Sequence, residues 1–311
     1  MSEPLSRKGL FHLCVLYTVW STTYLAMRVG VNPANGFPPF ALGALRMAVA
    51  ALILLGMARL QGLQTKPARS EIFSLAVTGN LFWCGGNGLV LWAEQYTSSG
   101  FSCLVVSSAP IWATIIELLF YKKRPSTALI VSLLVGFTGV AILSMPSLGK
   151  RTSTEFYAVI ALVLSPLCWV LGSVFQSRRR VSLAPQVTSG YHHLAAFFGF
   201  LVASLAFGEP TPHPSLSAWV AWGYLVIFGS VGAFTSYVLA LRLLPINIVM
   251  TYAYVNPALA LFLGWLLLDE PITMRTLFGA GLVVLSIFAI FHAKQQKKVG
   301  NPQASEAESL T

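Results

Sequence analysis

The chain has 311 residues, 56% apolar and 10% charged, with a formal net charge of +10 and a mean hydropathy of +0.72. Soluble chains carry about 25% charged residues, so a water-soluble enzyme is excluded. The basic residues stand in short clusters between apolar runs, where topology determinants sit, which argues against a nucleic-acid partner.

A spanning helix needs roughly 20 apolar residues. A hydropathy window predicts ten, at 9–29, 37–58, 72–93, 98–120, 127–146, 156–176, 187–207, 217–241, 246–268 and 273–292. The first is too long for a signal peptide and no small-residue cleavage site follows it, so it is expected to stay. It carries Trp20 and Tyr24. In the second span Arg46 lies nine residues past Phe37, about 14 Å along a helix and so near mid-membrane. An Arg there costs about 2.5–3.5 kcal/mol, so it must face protein or water. It either binds a substrate carboxylate or holds a helix junction. The third span brings the densest polar cluster, Asn80, Trp83, Gly85, Gly86, Asn87, Gly88, Trp92 and, near its outer end, Glu94.

The fourth span holds Ser107, Ser108 and Pro110, with Glu117 placed to pair with Lys122, Lys123 and Arg124. Ser132, Gly136 and Gly139 give the fifth a small-residue face suited to a dimer contact or to packing within the monomer. Trp169 lies in the sixth, His192 and His193 in the seventh, Tyr237 in the eighth, and Tyr252, Asn256 and Pro257 in the ninth. His193 is a candidate for proton coupling, as is Glu94. Pro110 and Pro257 each remove a backbone hydrogen bond within a span, which makes them, with Gly88, kink and gating candidates. The polar residues 294–311 have nothing to bury and are expected to form a disordered cytoplasmic tail.

With a cytoplasmic N-terminus, fifteen of the 20 Lys and Arg residues fall in inside loops, so both termini are expected in the cytoplasm. Compared with itself at an offset near 147, the chain aligns Pro110 with Pro257 and Arg46 with His193, and Trp20 falls near Trp169. A second copy of a five-span unit must enter the membrane upside down. The sequence therefore reads as two inverted five-helix repeats, 1–147 and 148–293, an arrangement that serves alternating access around a midplane site.

Several segments resemble the EamA-type members of the drug/metabolite transporter superfamily: VWSTTYLAMRVGV (19–31), ALGALRMAVAALILL (41–55), NGLVLWAEQYTSSG (87–100), CWVLGSV (168–174) and MTYAYVNPALALFLGWLLLDE (250–270). The resemblance implies an all-α integral membrane protein of ten helices in the bacterial inner membrane. It also implies an exporter, often of amino acids or other small metabolites, with a cavity lined by helices 1, 3, 4, 6, 8 and 9.

A carrier places its functional groups as polar, aromatic or helix-breaking residues inside spans. The candidate cavity residues are Trp20, Tyr24, Asn80, Trp83, Asn87, Ser107, Trp169, Tyr237, Tyr252 and Asn256; the charge and proton candidates are Arg46, Glu94 and His193. Enzymatic readings find no support. The four cysteines show no metal or disulfide spacing, and the adjacent His192 and His193 point to different helix faces. Neither a GxxxxGK[ST] motif nor the flanking pattern of a serine protease is present, so neither cofactor nor metal is expected. The expected function is a secondary transporter of small solutes, amino acids first, with nucleosides, sugars or drugs and a channel as alternatives. The expected partners are a small-molecule substrate and the bilayer, with the chain a monomer or homodimer.

Overall fold

A computed structural model describes residues 6–121, 127–148, 153–179, 181–244, 249 and 252–300. Every regular element among them is helical, as a bilayer demands of a chain that must satisfy its own backbone groups. The first half contains α1 (Arg7–Gly30), α2 (Pro39–Leu60), a third rod made of α3 (Arg69–Gly79), the π-helix π1 (Asn80–Gly88) and α4 (Leu89–Ala93), a fourth rod made of α5 (Ser99–Val106) and α6 (Ala109–Tyr121), and α7 (Thr127–Leu148). The second half contains α8 (Ser153–Arg178), α9 (Pro185–Ala206), an eighth rod made of α10 (Leu216–Tyr224), π2 (Leu225–Ala233) and α11 (Phe234–Leu243), then α12 (Tyr252–Leu268) and α13 (Met274–Gly300). These are ten rods, five in each half.

Four segments are long and apolar enough to cross a bilayer by themselves: Arg7–Gly30, Pro39–Leu60, Ser153–Gln176 and Leu216–Tyr237. Shorter apolar stretches lie at Ser99–Ala113, Ile130–Leu143, Val255–Leu268 and Met274–Ala289. Phe73, Leu52, Leu205, Phe228, Trp265 and Phe288 are more than half exposed, which suits a surface solvated by lipid.

The packing repeats between the halves. α1 lies against the eighth rod and α12, while its repeat mate α8 lies against the third and fourth rods. The mates α2 and α9 pack on each other, as do α7 and α13, and these are the two most extensive helix pairs. Glycine permits the close approach. A Cβ on Gly43 would come within 2.5 Å of the Phe200 ring of α9, and one on Gly79 within 2.5 Å of the His192 carbonyl oxygen.

Helix starts are secured from neighbouring segments as well as locally. Ser6, Ser98 and Ser215 cap α1, α5 and α10 with their own hydroxyls. The first residues of α2 lack such a cap, and Glu209, in the loop after α9, accepts from the N–H of Phe40 (2.9 Å) and of Ala41 (2.8 Å). Glu270 does the same for α5, accepting from Ser99 N–H at 2.7 Å and Gly100 N–H at 3.1 Å. At the opposite end Glu71 accepts from the N–H of Ser182 (2.6 Å) and of Ala68 (2.9 Å).

Two sequence expectations are corrected by the structure, and one that stood between two alternatives is decided. The small-residue face of α7 is buried within the chain: a Cβ on Gly139 would meet the Gly279 carbonyl of α13 at 2.9 Å, and Ser286 donates to the Ser132 carbonyl at 2.6 Å. This face serves packing within the monomer, one of the two alternatives the sequence left open. Residues 294–300, expected to be disordered, continue α13 to Gly300, because an Ala, Gln and Lys run favours helix and the first breaker is Gly300 itself, followed by Asn301 and Pro302. Pro110 does not kink a continuous helix; α5 ends at Val106 and Pro110 is the second residue of α6, where a missing N–H costs nothing. Pro257, by contrast, lies inside α12. Lys122, Lys123 and Arg124, and residues 301–311 of the tail, lie outside the described residues.

Candidate functional site

The two π-helices, nine residues each, stand 145 residues apart in matching rods of the two halves. Each contains glycines, Gly85, Gly86 and Gly88 in π1 and Gly229 and Gly232 in π2, which relieve crowding in a widened turn. π-Helical turns are rare and concentrate at functional sites. Ser165 of α8 donates to the Gly86 carbonyl at 2.8 Å, satisfying an oxygen of π1 from another helix.

Arg46 joins the two. Only 3% exposed, it extends from α2 so that Nε donates to Ser230 Oγ of π2 at 2.8 Å and Nη1 to Asn87 Oδ1 of π1 at 3.3 Å. Its Cζ lies 5.2 Å from the centre of the Trp83 ring. Hydrogen bonds to a charged group contribute about 1.5–3 kcal/mol each and a desolvated cation–π contact about 2 kcal/mol. Together these offset the insertion cost. All three partners are neutral, and Arg46 has no ion pair among the described residues.

The same indole also meets the repeat mate of Arg46. His193, fully buried on α9, packs tilted against it with 4.5 Å between ring centres, and its Nδ1 lies 2.7 Å from the Ser189 carbonyl. A carbonyl only accepts, so Nδ1 carries the proton and Nε2 of the neutral ring is an acceptor. That Nε2 and the Trp83 Nε1 are both buried without a partner. His192, its neighbour, turns away to Thr78 Oγ1 at 2.9 Å.

An aromatic path leads from this cluster. Phe234 touches both Trp83 (5.9 Å) and His193 (5.9 Å), and Tyr237 lies 6.2 Å from Phe234. Trp20 packs tilted on Tyr237 at 5.2 Å and edge-on to Tyr252 at 4.9 Å. On the other side, Trp169 meets Phe82 at 5.0 Å and Trp83 at 6.3 Å. The matching tryptophans thus occupy related places, Trp20 against the eighth rod and Trp169 against the third. Asn256, 4% exposed, has an unpartnered Oδ1 one residue before Pro257. Tyr24 lies one turn from Trp20 and beside Cys103 and Glu94.

The remaining candidates fall elsewhere. Asn80 donates to the Ala76 carbonyl at 2.9 Å and sits against Gly199 of α9, so it is a helix joint. Ser107 donates back to Cys103 O at 2.8 Å within its own helix end. Gly88 is closely packed: a Cβ there would press on Phe200 at 2.8 Å. Glu94, fully buried beyond α4, has neither carboxylate oxygen bonded, and Arg28 donates to its backbone carbonyl instead. Sequence reasoning missed Ser230, Ser165 and Phe234. For Ser230 a signal existed: a hydroxyl between two glycines in an otherwise apolar run.

The description EamA-like transporter family matches the chain twice, over residues 7–145 and 156–292. The chain belongs to this family. A relative named "Uncharacterized inner membrane transporter YedA" from Escherichia coli (strain K12) is 30% identical over 302 residues, covering 96% of each chain. Another relative, from Streptantibioticus cattleyicolor, is named "Probable terminal-alkyne amino-acid exporter" and is 24% identical over 91% of this chain and 93% of its own. A solved crystal structure shares the fold, with a TM-score of 0.64 at 18% identity, covering 93% of this chain and 98% of that one. The EamA-like chain is thus an all-helical membrane transporter, and the two matches fall one on each half.

Proposed function

We propose that this chain is a secondary transporter that exports small metabolites, amino acids first, across a bacterial inner membrane by alternating access. The observation that carries the reading is the pair of π-helices in matching rods, bridged by a buried Arg46. Interrupted helices at a repeat interface are where carriers of this kind build their solute sites. The aromatic path from Trp83 through Phe234 to Tyr237, Trp20 and Tyr252 offers faces to an apolar side chain. Inverted halves supply the two arrangements that alternating access needs, and the names of the Escherichia coli and Streptantibioticus cattleyicolor relatives agree with membrane location and solute class.

The test is efflux from liposomes that hold the purified chain and a preloaded radiolabelled amino-acid mixture. Saturable loss that falls at least ~10-fold in Trp83→Ala, through removal of a buried aromatic worth several kcal/mol, is the expected result. Unsaturable loss would identify a channel, and retention of every amino acid would move the solute class to nucleosides, sugars or drugs.

A further inference from the structure

The polar atoms around Trp83 are not a random remainder. A guanidinium has five N–H donors in a planar fork, and Arg46 uses two of them, on Ser230 and Asn87. The other three have no acceptor among the described residues. Trp83 Nε1 adds one more buried donor without a partner. On the ring that packs against the same indole, His193 Nε2 is a buried acceptor without a donor. Unmade hydrogen bonds of buried groups are costly, and a cation at this depth with only neutral partners is costlier still. One kind of solute relieves all of these at once: an anion for the fork and a neighbouring N–H for the imidazole.

We infer that Arg46 and His193, repeat mates on α2 and α9, form a zwitterion site. Arg46 takes the solute carboxylate through its free N–H groups, and His193 Nε2 accepts from the α-amino group. Trp83, which both touch, forms the floor of the site. The inference rests on the transport reading and sharpens it, because it requires both charged groups of an α-amino acid. Arginine suits the task because its planar fork matches a carboxylate at two points. The neutral tautomer of His193, set by the Ser189 carbonyl, suits it because an imidazolium would repel the ammonium group and Arg46 alike. The side chain of the solute would then lie along Phe234 toward Tyr237.

The experiment measures thermal stabilisation of the purified full chain by four probes: phenylalanine, phenylalaninamide, 3-phenylpropanoate and 2-phenylethylamine. Efflux of the same four compounds from proteoliposomes is followed in parallel. Phenylalanine is expected to be half-effective at a concentration at least tenfold below each of the others. In Arg46→Gln the preference for phenylalanine over its amide disappears. In Arg46→Lys the charge remains and the preference survives at reduced affinity, which separates charge recognition from loss of the fold. In His193→Phe the preference over 3-phenylpropanoate disappears, while that over the amide persists. Equal stabilisation by phenylalanine and its amide in the native chain, no stabilisation by any probe, or an acid preference that survives Arg46→Gln would each overturn the site. Binding with these preferences but without efflux would leave the site standing and remove the transport reading. Efflux blind to the carboxylate would do the reverse.

Discussion

π1 and π2 are the same backbone irregularity in matching places, yet they are filled differently. π1, Asn80–Gly88, carries Trp83 and Asn87 into the site and packs its glycines against α8 and α9. π2, Leu225–Ala233, contributes the single hydroxyl of Ser230, and its Gly232 is exposed. Symmetry therefore supplies the scaffold, and the departures from symmetry supply the chemistry. A site made of two identical halves would favour a solute with matching ends; the proposed pairing of Arg46 with His193 favours one with a negative and a basic end.

The largest expected effect breaks this contrast from the π2 side. Ser230→Ala removes the shorter of the two Arg46 hydrogen bonds and is expected to cost about 1.5–3 kcal/mol, read as a lower melting temperature and slower efflux. Next come the glycines. Gly88→Val in π1 would drive its side chain into Phe200 and cost about 1–3 kcal/mol. Gly232→Val in π2 meets only the Ile227 carbonyl of its own helix, at 3.2 Å, and is expected to stay within about 0.5 kcal/mol. Equal melting temperatures for the two variants would show that π1 and π2 are packed alike. Asn87→Ala loses the longer bond, 3.3 Å, and should cost about 1.5 kcal/mol, the lower end of the range for a bond to a charged group, less than Ser230→Ala in the same assay.

The smallest effect lies outside both π-helices and serves as their control. The backbone N–H groups of Ser182 and Ala68 hold the Glu71 carboxyl below its usual range. A depressed carboxyl contributes stability above its unfolded value, about 4.3, and loses it as pH falls through the lower folded value. Melting curves below pH 5 should show this decline in the native chain and a shallower one in Glu71→Gln, with efflux selectivity unchanged in both.

Much of the site could be read from the sequence because lipid makes polar residues conspicuous. Arg46, Trp83, Asn87 and His193 stood out as costly or bulky groups in apolar runs, and the offset near 147 already paired Arg46 with His193. Asn80 was just as conspicuous and proved to be a joint, since an amide inside a span needs partners whether or not a solute passes. Phe234 was invisible, one aromatic among 20 phenylalanines, until its contacts with Trp83 and His193 singled it out.

By itself the sequence determined the membrane setting, the ten rods, the fivefold division and the family, because all of these follow from local hydropathy and from order along one chain. Tertiary structure alone decided that the two repeat mates meet at one indole, that two π-helices face the same guanidinium, and that the small-residue face of α7 is used internally. Those outcomes depend on which faces of distant helices are brought together. Helical periodicity shows that a face exists without showing what it will touch.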